Sequence, residues 1–64
     1  MLNLSEVLLQ HLELDSFAEL LDTIRAEARA GALYFRIDVK PPFFDTPPDW
    51  EDRLEAAFNE VNRA

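Results

Sequence analysis

Leu4, Val7, Leu8 and Leu12 recur at the three- and four-residue steps that bring side chains onto one helical face, and Leu9 widens the stripe. The spacing predicts a short first helix, nearly all apolar and largely buried. Its start is marked by Asn3-Leu4-Ser5-Glu6, in which Asn3 caps the free amides, Glu6 returns the bond, and Leu2 meets Val7 as a staple. Leu14-Asp15-Ser16 interrupts the pattern. Ser16 with Glu19 then repeats the capping arrangement ahead of Phe17, Leu20, Leu21, Ile24 and Ala28, which return with a helical period. Glu19, Asp22, Arg25 and Arg29 face outward, with Asp22 and Arg25 spaced for an ion pair. Gly31, the only glycine, stands where a helix end needs left-handed backbone.

From Ala32 to Lys40 the period changes to two. Leu33, Phe35, Ile37 and Val39 point one way, and Tyr34, Arg36, Asp38 and Lys40 the other, which predicts a half-buried strand over 33–39. Pro41 and Pro42 end it, because neither can donate to a ladder. Phe43 to Pro48 reads as a stiff connector, with both phenylalanines expected as plugs under it, or else as aromatic anchors beside an acidic rim. Thr46 is then expected to cap a last helix, with Pro47 at its first position and Asp49 in its first turn. Trp50, Leu54, Ala57, Phe58 and Val61 make its apolar stripe. The expected fold is one α+β domain over residues 1–64, in the order α-α-β-α. Its core would be Leu8, Leu12, Phe17, Leu21, Ile24, Phe35, Ile37, Leu54, Phe58 and Val61.

A single strand leaves its backbone groups in need of partners. Lys40-Pro41-Pro42 lacks the glycine or asparagine of a tight hairpin, and a strand from residues 1–4 would give up the Asn3 cap. Besides pairing with a strand of a partner, two arrangements remain. In one, strand 33–39 pairs with a second copy about Ile37, setting Arg36 opposite Asp38 twice and forming a homodimer. In the other it stands as an edge guarded by Arg36, Asp38 and Lys40.

Charge changes the picture next. Thirteen carboxylates against six Lys and Arg give a formal net charge of −7, which repels nucleic acid and anionic membranes and attracts basic surfaces. At 48% hydrophobic the chain is too apolar for a disordered acidic tail. It contains no Cys, and its only His is His11, so no disulfide and no His/Cys zinc site can form. Neither a glycine-rich phosphate loop nor a calcium loop is present, and no metal or cofactor is expected. No stretch approaches the roughly 20 apolar residues of a membrane span, and the first residues lack the basic start of a secretory signal. The expected location is the cytoplasm.

No catalytic constellation emerges. Ser16 has only His11 as a conceivable base and is already accounted for as a cap, so the chain is not expected to be an enzyme. The candidate partner-binding residues are Asp45, Asp49, Glu51, Asp52 and Glu55 around the last helix, then Glu19 and Asp22 on the second. Carboxylates near a helix start are favoured by its dipole, which accounts for Asp49, Glu51 and Asp52 but weakens for Glu55.

Two resemblances add to this. Leu12-Glu13-Leu14-Asp15-Ser16-Phe17, followed by Glu19-Leu20-Leu21, resembles the modification site of acyl and peptidyl carrier proteins. That likeness implies an all-helical fold and phosphopantetheine on Ser16. Phe17 stands where those proteins carry Leu, and residues 32–40 read as strand. In length, acidity and lack of cysteine the whole chain is similar to small phage-encoded inhibitors of the anti-CRISPR and anti-restriction DNA-mimic type. This second likeness implies a stoichiometric inhibitor that sets carboxylates where DNA phosphates would lie on a basic, nucleic-acid-binding protein. The alternative from another class is a small structural or assembly protein that pairs through strand 33–39.

Overall fold

The helical period of residues 17–29 is realised over its full length, and both of its ends carry the local chemistry read from sequence. In the computed structural model, which describes residues 1–62, the elements follow in the order β1 (Leu2–Asn3), α1 (Leu4–Gln10), α2 (Phe17–Arg29), β2 (Phe35–Arg36) and α3 (Trp50–Asn62). At the start of α2 the Ser16 hydroxyl accepts the Glu19 N–H at 3.2 Å. The Glu19 carboxylate reaches one residue further back than expected, accepting the Asp15 N–H at 2.8 Å. At its end Gly31 takes φ 113°, Gly31 N–H donates to the Ala28 carbonyl and Ala32 N–H to that of Glu27. This is a Schellman closure, and it needs the left-handed residue that only glycine adopts without strain.

Among the described residues the fold is α+β with three helices, but it has two strands rather than one. β1 and β2 lie parallel in the register Leu2↔Phe35 and Asn3↔Arg36, with Leu2 N–H donating to the Tyr34 carbonyl at 2.9 Å. Residues 1–4 thus supply the strand that the Asn3 cap was expected to forbid. The cap is indeed given up: Asn3 accepts no backbone amide of α1, its side-chain N–H donates to Glu6 at 2.9 Å, and its Oδ1 is buried without a partner. Asp38 takes over the task from a distance, Oδ1 accepting the Ser5 N–H at 3.0 Å and Oδ2 the Ser5 hydroxyl at 2.6 Å. The regular strand within 33–39 is confined to Phe35–Arg36. Phe35 and Ile37 pack against the core, whereas Leu33 is 74% exposed and Val39 also faces solvent.

The core comprises Leu4, Val7, Phe17, Leu20, Ile24, Ala28, Leu54, Ala57 and Phe58, and its most extensive packing is between α2 and α3. Leu8, Leu21, Phe35, Ile37 and Val61 join it as partly buried residues. Leu12 does not. Helix α1 ends at Gln10, because His11 leaves helical backbone at φ −123° and ψ 63° and a turn closes from the His11 carbonyl to Leu14 N–H. Leu12 is therefore turned out and 82% exposed, and Leu9 is exposed as well.

The connector departs from expectation at its end. Helix α3 begins three residues later than Pro47, and Thr46 does not cap it. Thr46 instead closes a turn through its N–H to the Phe43 carbonyl at 3.1 Å, and its hydroxyl donates to that of Pro41 at 3.5 Å. The reason is Pro48: Pro47, as a residue followed by proline, is held out of helical backbone and cannot serve as the first helical residue after a Thr46 cap. Within the same turn Phe43 packs against the core while Phe44 projects, 92% exposed, so only one of the two phenylalanines is a plug.

Candidate functional site

The carboxylates divide into two sets according to what they touch. One set is engaged within the fold. Asp45 was expected in the docking set, but its Oδ1 accepts the Phe17 N–H at 2.7 Å and closes the first free amide of α2. Glu19 holds the start of the same helix. Asp22 pairs with Arg25 at 3.1 Å, and Arg25 reaches across to Glu60 on α3 at 3.3 Å, tying the two helices at their outer side. Asp49 immediately precedes α3 and accepts from Arg53 Nε at 2.8 Å. That hydrogen bond holds the Asp49 carboxyl below the ordinary aspartate range, with the Arg53 charge adding to it.

The other set is Asp15, alone before α2, and, grouped on α3, Glu51, Asp52 and Glu55. The last three are exposed on the first two turns of α3, and none makes a hydrogen bond or ion pair among the described residues. Leu54, Ala57 and Phe58 are the buried face of this helix, so the three carboxylates occupy its flank and back. Glu51 and Glu55 stand four apart and Asp52 and Glu55 three apart, spacings at which like charges cost the helix about 0.2–0.5 kcal/mol per pair. Dipole stabilisation offsets this for Glu51 and Asp52, in the first turn, and fades by Glu55. The fold thus maintains a patch of negative charge that it does not use.

Two features of this surface were not legible in the chain. Asp38 was assigned to the outer strand face, as an edge guard or as the partner of Arg36 in a second copy, and its role in holding α1 depends on a contact 33 positions away. Glu55 borders an open groove between α3 and residues 33–35, where Leu33 and Tyr34 stand exposed. The alternation at 33–36 held the signal for such a groove, since a strand with one covered edge leaves the other free.

Ser16 and His11, the one pair considered for nucleophilic chemistry, have separate partners. Ser16 serves Glu19, while the His11 ring lies 3.3 Å from Glu13 and 3.6 Å from Glu27. Among the described residues no group of three or more His, Asp or Glu is placed to hold a metal ion. No described helix is long and apolar enough to cross a membrane. No protein-family model, curated protein or solved structure matches this chain.

Proposed function

We propose that this chain is a stoichiometric protein-binding inhibitor or regulator. It acts in the cytoplasm and docks the acidic flank of α3 on the basic, nucleic-acid-binding surface of another protein. The observation that supports this reading is the division among the carboxylates. Those of Asp38, Asp45, Glu19, Asp22, Asp49 and Glu60 are absorbed by helix ends and arginines, whereas Glu51, Asp52 and Glu55 are held together and left unanswered. A net charge of −7 steers such a surface toward basic partners and away from nucleic acid and anionic lipid. The reading assigns no chemical step to the protein, and it gives the DNA-mimic class a definite surface on this chain.

Capture of partners on the immobilised protein tests it. Bound protein should be released by DNA or RNA and by rising salt, because exposed charge pairs are screened within about 8–10 Å at physiological ionic strength. Glu51→Gln, Asp52→Asn and Glu55→Gln together should weaken binding by about 2–5 kcal/mol where they meet desolvated Arg or Lys. Capture that ignores salt and nucleic acid but is lost when Phe43 and Phe44 become Ala would move the function to an apolar docking surface.

Self-assembly through residues 33–39 is a second reading, supported by the free edge of β2. Its charge match is weaker than the sequence suggests. Asp38 already serves Ser5, so pairing Arg36 with a second copy's carboxylate would compete with the α1 cap.

A further inference from the structure

An open groove of about 270 Å3 runs beside β2, walled by Leu33, Tyr34 and Phe35 on one side and by Glu55, Phe58 and Asn59 of α3 on the other. Phe35 and Phe58 stack with ring centroids 5.3 Å apart, which fixes its apolar part. β1 covers only one edge of β2. The register directs the Tyr34 carbonyl to Leu2, and strand alternation turns the N–H and C=O of Phe35 to the opposite edge, where no strand lies among the described residues. Backbone groups seeking a ladder, an apolar wall and an unanswered carboxylate therefore meet in one place.

We propose that this groove takes an extended basic segment of the partner, added to the sheet as a third strand along the free edge of β2. The proposal rests on the acidic-docking reading and specifies the form of the partner. Strand addition draws affinity from main-chain hydrogen bonds and selectivity from alternate side chains. Alternate apolar side chains would lie between Leu33 and Phe58, and basic ones would meet Glu55, with Glu51 one turn away on the same flank. Charge selects this occupant over a second copy of the chain. A second copy offers the same backbone edge but brings another net −7 and its own Glu55 to the contact.

Isotope-labelled protein titrated with a short synthetic peptide alternating Lys and Val tests the proposal. The peptide is also made in two forms, N-methylated on one or the other set of alternate amides. Amide shifts should centre on Leu33, Phe35, Glu55 and Asn59. One methylated form should bind like the parent and the other about tenfold more weakly or worse, because only one set of amides faces β2. Glu55→Gln, on an exposed side chain, should weaken binding about two- to fivefold, the size of an exposed ion pair, and a peptide alternating Glu and Val should not bind. Equal binding of both methylated forms, or shifts confined to Glu51 and Asp52, would overturn strand addition and leave acidic docking standing. Shifts at Phe35 that grow with protein concentration alone, with a dimer in sedimentation, would give the edge to a second copy and also overturn it. Acidic docking fails separately if the protein neutralised at Glu51, Asp52 and Glu55 still captures its partner.

Discussion

Asp45 and Phe17 stand 28 positions apart, and the carboxylate of the first accepts the backbone N–H of the second at 2.7 Å. Helix α2 is therefore capped twice, by Ser16 from its own chain segment and by Asp45 from the connector that leads to α3. Asp45→Ala should cost about 0.5–2 kcal/mol, the usual worth of a helix-capping oxygen, and lower the melting temperature. Asp45→Asn keeps an acceptor and should cost less, while Glu51→Gln should leave the melt nearly unchanged. An unaltered melt for Asp45→Ala would return Asp45 to the set free for docking.

The Asp38 carboxyl is held below the ordinary aspartate value, first by the Ser5 hydroxyl and then by the Ser5 N–H. The folded state thus favours its ionised form. Its contribution is complete above the ordinary pKa, near 3.9, and is lost as pH falls through the lowered folded value. The Ser5 amide resonance should titrate in acid with a midpoint below the ordinary one, and Asp38→Ala should remove that step. A midpoint at or above the ordinary value would contradict the contact.

Leu54 is fully buried between the helices and Leu12 is 82% exposed. Leu54→Ala should cost about 2–5 kcal/mol, a large share of what so small a domain has, and leave much of the protein unfolded at moderate temperature. Leu12→Ala should stay within about 0.5 kcal/mol of the parent. Chemical denaturation of the two variants decides whether α1 ends before Leu12 in solution.

The residues around Ser16 resemble a carrier-protein modification site, yet its hydroxyl accepts the Glu19 N–H at 3.2 Å, and the segment after α2 contains a strand. Incubation with coenzyme A and a broad phosphopantetheinyl transferase should leave the mass unchanged. A mass gain mapped to Ser16 would restore the carrier reading and displace the inhibitor one.

The legible parts of this fold are those whose causes lie within a few residues. Ser16 and Glu19 start α2, Gly31 ends it, and Asp22 meets Arg25, all by contacts that sequence spacing alone dictates. The delayed start of α3 was legible in principle, because Pro47-Pro48 carries its own restriction on the residues before each proline. What escaped was remote. No local pattern says that Asp38 will cap α1, and without that knowledge a strand at Leu2–Asn3 looked too costly. The same holds for the candidate surface: Asp45 and Glu51 look alike in the chain, and only the fold shows that one is consumed and the other is not.

The pairing of Leu2 with Phe35, and of Ser5 with Asp38, bears on the order in which a growing chain can take shape. Helix α1 has seven residues, well short of the roughly 12–15 at which an isolated helix becomes even marginally stable. During synthesis it must wait, emerged but unformed, until residues 35–38 leave the ribosome to supply both its flanking strand and its cap. Helix α2, nearly twice as long and with Ser16 and Gly31 beside it, can be sampled earlier, although Asp45 completes its start only later. Leu4 and Val7 thus remain exposed until later parts of the core are made to cover them.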